Sequence, residues 1–114
     1  MLRKNPPAAC DRIPCILAAI GTVKPLSQIE IIPDSINPTG YTRLDAANRL
    51  IRKNLSVKKS IEYRRGNRPK LKELHLDGQA IVCVLGHYLY LDRETYHSFF
   101  DNENDEVIRI WILK

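Results

Sequence analysis

Cys15 and His87 are the two side chains of this sequence whose types and settings could together perform nucleophilic chemistry. Cys15 follows Pro14 and opens the apolar run Ile16-Leu17-Ala18-Ala19-Ile20, which reads as a short helix stopped by Gly21. A thiol in the first turn of a helix meets unpaired backbone N–H groups and the positive end of the dipole. Both favour the thiolate and are expected to lower its pKa from about 8.5. His87 follows Gly86 and heads the alternating segment His87-Tyr88-Leu89-Tyr90-Leu91, a strand pattern that leaves open space in front of the ring. An imidazole so placed could take the proton of a thiol carried by a distant segment and strengthen its ionisation by pairing with it. Most free cysteines are small buried hydrophobes, so the chemistry depends on the two residues meeting in space.

The elements that must bring them together can be read in part. Residues 80–85, AIVCVL, form a continuous apolar run, the mark of a strand covered on both faces. Gly86 separates it from the histidine strand, a further strand is expected over residues 95–100, and residues 101–105, DNEND, form an acidic turn. Residues 107–113, VIRIWIL, close the sheet. Upstream, residues 43–54 read as an amphipathic helix: Thr42 can cap it, and Leu44, Ala47, Leu50, Ile51 and Leu55 line one face. Residues 24–32 are ambiguous between a short helix, with a Ser27/Glu30 capping-box spacing, and an extended segment. Residues 33–40 are loop, residues 57–64 a strand, and residues 70–75 one helical turn or a short extended piece. Helices first and an antiparallel sheet of about four strands after them make an α+β fold. Residues 1–10 are expected to be an irregular lead-in, and residues 11–114 one domain.

With 114 residues the chain can build one modest core. No apolar run approaches the roughly 18 residues of a membrane span, and the first ten residues lack the apolar stretch of a secretory signal. Three cysteines leave at least one thiol free, which points to reduced thiols and a cytoplasmic protein. The net charge of +5 is unevenly placed: through His75 there are fifteen Lys/Arg against six Asp/Glu, and from Leu76 three against seven. The excess is densest over residues 49–72, where Arg49, Arg52, Lys53, Lys58, Lys59, Arg64, Arg65, Arg68, Lys70 and Lys72 meet only Glu62. Such a band is either a solvated face or a surface for nucleic acid or an acidic protein. The five glycines are isolated, so no phosphate-cradling loop is present. Cys10 and Cys15 lack the second close pair a zinc site needs, although they could form a reversible disulfide. His75 and His97 read as solvated polar residues.

Three features occur together: PCILAAIG with its leading cysteine, Gly86-His87 heading a strand about seventy residues later, and YHSFFDNEND before an aromatic C-terminal strand. In this order they resemble the minimal papain-like cysteine peptidase fold, and most of all the small versions among bacteriocin-processing-type peptidases and phage or bacterial proteins. The segment GQAIVCVLGHYLYLDRETYHSFFDNENDEVIRIW carries most of the resemblance. It implies N-terminal helices packed on a C-terminal antiparallel sheet, Cys15 as nucleophile, His87 as general base, and a third polar residue on the following strand. Asp101 is expected in that third role, with Asn102 and Ser98 behind it. It further implies a thiol hydrolase, a peptidase or amidase, that acts on a peptide-like carbonyl of a peptide or protein substrate and needs no cofactor or metal. The sequence departs from the family upstream of the nucleophile, where Asn5, Cys10 and Asp11 offer no well-spaced partner for an oxyanion. The alternative is a small, catalytically inactive binding module that uses residues 49–72.

Overall fold

A computed structural model of the chain describes residues 2–6, 13–31 and 43–114. The expected cap Thr42, the loop at residues 33–40 and both Cys10 and Asp11 lie outside the described residues, and so does the Cys10–Cys15 disulfide reading.

The elements run β1 (Arg3–Asn5), α1 (Cys15–Val23), a 3-10 turn (Leu26–Gln28), α2 (Leu44–Asn54), β2 (Val57–Glu62), a second 3-10 turn (Leu71–Glu73), β3 (Gln79–Val84), β4 (His87–Asp92), β5 (Thr95–His97) and β6 (Val107–Leu113). The fold is α+β. All six strands belong to one sheet in the order β1-β5-β4-β3-β6-β2. Strands β3, β4 and β5 form the expected antiparallel meander, with β6 and then β2 antiparallel on the other side of β3. Two expectations change. The sheet is mixed, because β1 pairs parallel with β5, and β1 falls within the segment read as an irregular lead-in. A short polar stretch such as RKN carries no strand signal of its own; its ladder partner supplies the structure. Gly21 does not stop α1, which continues to Val23. One glycine inside a helix costs only about 1 kcal/mol against alanine, less than the packing of the helix supplies.

Both faces of the sheet are covered, which is why β3 reads as an unbroken apolar run. Ile81 and Cys83 of β3 and Tyr88 and Tyr90 of β4 face the helices, where they pack with Ile16, Ala19 and Ile20 of α1 and Ala47, Leu50 and Ile51 of α2. Ala80, Val82, Val84, Leu89 and Leu91 face the other way, against Leu71, Leu74 and Tyr96. Ile108 and Trp111 of β6 both lie on the helix side although strict alternation would separate them. A bulge resolves this: Cys83 is opposite Arg109 but Val84 is opposite Val107, so Ile108 is the extra residue.

α2 is held by its apolar face as expected; among the described residues no side chain caps its N-terminus, and Asp45 Oδ1 accepts the Ala46 N–H. Its polar hub is Asn48, whose Oδ1 accepts from Trp111 Nε1 at 3.0 Å and from Arg109 Nη2 at 3.3 Å. This satisfies the indole N–H of the largest fully buried side chain, which would otherwise cost about 1–3 kcal/mol. Among the described residues no helix is long and apolar enough to cross a membrane.

Candidate active site

The apolar stripe of α1 lays that helix on β4, and this contact fixes where Cys15 stands. Cys15 is the first residue of α1, as the Pro14 signal implies, and the Pro14 carbonyl accepts the N–H groups of Leu17 and Ala18. The backbone N–H of Tyr88 donates to Cys15 Sγ at 3.4 Å. This N–H lies beyond the reach of β5, whose last residue, His97, is paired with Tyr90. The thiol therefore occupies the position where the ladder runs out, one residue from His87.

His87 begins β4 after Gly86, which takes φ +78 in the turn, a value that favours glycine. Its ring is half-buried and stands edge-on to Phe100, with centroids 5.3 Å apart. Cys15 and His87 line one cavity of about 470 Å³ between the start of α1 and the segment following β5. The two side chains do not hydrogen-bond to each other.

What holds the imidazole is Ser98. His87 Nε2 and Ser98 Oγ are 3.1 Å apart, Ser98 Oγ donates to Asn102 Oδ1 at 2.5 Å, and Asn102 Nδ2 donates to Asp105 Oδ2 at 2.7 Å. Ser98 Oγ also accepts the Phe100 N–H at 3.1 Å. These bonds have only one consistent polarity. The Asp105 carboxylate can only accept, so the Asn102 amide nitrogen faces it and the amide oxygen faces Ser98. Ser98 then spends its single proton on that oxygen and must accept from the ring. His87 is accordingly the Nε2–H tautomer, and its other nitrogen, Nδ1, carries the lone pair a general base requires.

Ser98 and Asn102 are each only 3% exposed, and among the described residues they are the two polar, non-aromatic side chains that are buried. Asp101, the residue expected to orient the histidine, is turned to the surface and forms an exposed ion pair with Lys4 Nζ at 2.7 Å. The two residues placed behind it, Ser98 and Asn102, make the contacts instead. The acidic turn explains why: Asp105 N–H donates to the Asn102 carbonyl and closes a tight loop that folds Asn102 inward and leaves Asp101 outside. Asp105 was not singled out in the sequence, and as one of three acidic residues in a run of five polar ones it carried no signal to set it apart.

The electrostatics reverse one expectation. Burial pushes the Cys15 thiol above its ordinary pKa, and the backbone N–H groups of Tyr88, Cys15 and Ile16 offset this only in part. Burial likewise lowers the His87 pKa, opposed by the smaller influence of Asp105. The helix start does supply N–H groups to the sulfur, but desolvation outweighs them. Both shifts favour the neutral thiol and the neutral imidazole over an ion pair.

His97 is not part of this chain of bonds; its ring packs against Tyr90 at 5.1 Å. His75 is exposed, and Asn5 lies on exposed β1 beside His97. No group of three or more His, Cys, Asp and Glu able to hold a metal gathers among the described residues.

No protein-family model, curated protein or solved structure significantly matches the chain.

The basic band is distributed over three elements. Arg49, Arg52 and Lys53 are exposed on α2, Lys58 and Lys59 on β2, and Arg64, Arg65, Lys70 and Lys72 beyond it. Lys53 pairs with Glu30 at 3.5 Å, and Arg52 Nε donates to Asn48. β2 is an outer strand of the sheet, and a lysine pair on such an edge discourages pairing with another chain.

Proposed function

We propose that the protein is a papain-like thiol hydrolase, a peptidase or amidase, with Cys15 as nucleophile, His87 as general base and Ser98 orienting the imidazole. The observation that carries this reading is the hydrogen-bonded series His87–Ser98–Asn102–Asp105, with Ser98 and Asn102 buried, which favours the base-competent tautomer at the wall of a cavity shared with the thiol. Burying two uncharged polar side chains to hold one ring has a cost in stability that packing alone does not require. The order of parts supports the papain-like resemblance in a cysteine starting a helix and a histidine starting a strand, while the polar partner, Ser98, lies one residue past the following strand on which the resemblance places it.

In this mechanism His87 Nδ1 accepts the Cys15 proton as the sulfur bonds to the substrate carbonyl carbon. The oxygen of the tetrahedral species becomes negative and is met by the backbone N–H of Cys15. The imidazolium then gives its proton to the leaving nitrogen as the C–N bond breaks, which leaves a thioester on Cys15. Water, deprotonated by His87, attacks this thioester; the carbonyl product leaves as the acid and the thiol is restored. Proton transfer during the attack suits a pair that begins uncharged.

The test is alkylation by iodoacetamide, followed by mass on each cysteine. Cys15 should react much faster than buried Cys83, and His87→Ala should slow Cys15 by 10-fold or more at pH 7.5. Equal, slow labelling of all three cysteines, or a Cys15 rate indifferent to His87, removes the hydrolase.

A second reading is favoured by the exposed cations Arg49, Lys58, Lys59, Arg64, Arg65, Lys70 and Lys72, which have no ion-pair partner among the described residues. They suit a small basic binding module for nucleic acid or an acidic protein. Its affinity for DNA would fall steeply with salt, and failure to bind heparin or DNA at low salt removes it.

A further inference from the structure

We propose that the cavity beside Cys15 is a subsite for a bulky, uncharged apolar side chain of the substrate, next to the carbonyl that Cys15 attacks. This rests on the hydrolase reading above and adds to it the class of residue the enzyme selects.

The argument begins with the walls. On the α1 side the lining residues are Ala18 and Ala19, whose side chains end at Cβ, so the helix leaves space where leucine would have filled it. Across from them stand Phe99 and Phe100, and Ile13 contributes a further apolar surface. The polar residues of the lining are Cys15, His87, Tyr88, His97 and Ser98, and among the described residues no Lys, Arg, Asp or Glu lines the space. At about 470 Å³ the cavity falls within the roughly 300–1,000 Å³ typical of small-molecule sites. A glycine would leave it largely empty.

Phe99 and Phe100 are 41% and 62% exposed, two consecutive aromatic rings held in water at the rim. Neighbouring Ser98 fixes their backbone, since its hydroxyl accepts the Phe100 N–H, and the Phe100 ring touches His87 edge-on. Covering these rings with an apolar side chain removes their surface from water just where the reactive carbonyl must sit. A charged side chain would be desolvated there without a counter-charge. Of the nearby carboxylates, Asp105 is engaged by Asn102, and Asp101 by Lys4 at the surface.

The full-length protein can be tested with N-acetyl amino-acid chloromethyl ketones carrying Phe, Leu, Gly, Asp or Lys beside the reactive carbon. Cys15 sulfur displaces chloride in each case, and peptide mass at Cys15, resolved from Cys10 and Cys83, reports the rate. Iodoacetamide, which has no side chain, serves as reference. Phe and Leu reagents should exceed Gly by about 10- to 100-fold, with Asp and Lys below Gly. Ala18→Phe, which occupies the space, and Phe100→Ala, at an exposed position that the core does not need, should each bring the Phe-to-Gly ratio towards one. Equal rates for Phe, Leu and Gly, or a preference for Asp or Lys, overturn the subsite while a His87-dependent iodoacetamide rate leaves the hydrolase intact. An iodoacetamide rate that ignores His87→Ala overturns the hydrolase, and the subsite with it.

Discussion

The imidazole of His87 is held by Ser98, a hydroxyl 3.1 Å from Nε2 that has already given its own proton to Asn102. Removing that hydroxyl deprives the ring of its acceptor and leaves the buried Asn102 oxygen without a donor. Ser98→Ala should therefore cost about 1–3 kcal/mol of stability, read from urea unfolding. It should also slow Cys15 alkylation, and nitrogen-15 shifts of the His87 ring should show the Nε2–H tautomer losing its dominance. A variant with wild-type reactivity and an unchanged tautomer contradicts the orienting role.

Asp101 provides the contrasting case. Among the described residues its ion-pair partner is Lys4, and the pair is exposed on both sides. Surface pairs of this kind contribute little, so Asp101→Ala should alkylate at Cys15 within about twofold of wild type and unfold at the same urea concentration. A large loss of Cys15 reactivity would return Asp101 to the site.

The pH behaviour follows from two burial effects of opposite sign on two groups. Unfolded histidine takes up a proton below its ordinary pKa of 6.5, whereas buried His87 does so only at lower pH. Between those values the unfolded chain binds more protons, so stability falls as the pH drops through that window. For Cys15 the unfolded thiol ionises near 9.0 and the folded one above it, so the unfolded chain binds fewer protons and stability also falls as the pH rises past 9.0. Reactivity follows the base. The wild-type alkylation rate should persist down to below pH 6.5, whereas in His87→Ala it should climb continuously towards and beyond pH 9.0. A wild-type profile showing a thiolate of unusually low pKa in a His87-dependent ion pair would contradict the neutral resting state.

Arg93, in the turn joining β4 and β5, takes φ 55, the one positive φ among the described non-glycine residues. A side chain in that region costs roughly 1–2 kcal/mol, and glycine relieves it. Arg93→Gly should raise stability by about 1 kcal/mol or slightly less, because glycine also loosens the unfolded chain. Thermal unfolding would show an upward shift in midpoint, and a downward shift would mean that the arginine side chain is needed where it stands.

The parts of the architecture that were legible in the sequence are those whose pattern comes from burial. The apolar stripe of α2 and the unbroken run of β3 are each dictated by what covers them, and a sequence records that directly. β1 escaped because its three polar residues become a strand only through pairing with β5. The positions of Cys15 and His87 at the starts of α1 and β4 were legible because Pro14 and Gly86 mark the ends of those elements. The residue orienting His87 was not, since Ser98, Asp101, Asn102 and Asp105 lie within eight positions and which of them turns inward is decided by loop bonds alone. The thiol pKa went astray for a related reason: helix position can be read from sequence, but the depth at which the helix end is buried cannot.

The parallel pairing of β1 with β5 has a consequence for any handling of the amino terminus. The Asn5 carbonyl accepts the Ser98 N–H at 2.9 Å, so the first few residues clamp the backbone of the very serine that steers the imidazole. Proteolytic nicking or a bulky fusion at that end would therefore be felt some ninety residues away along the chain, as slack around the His87 ring.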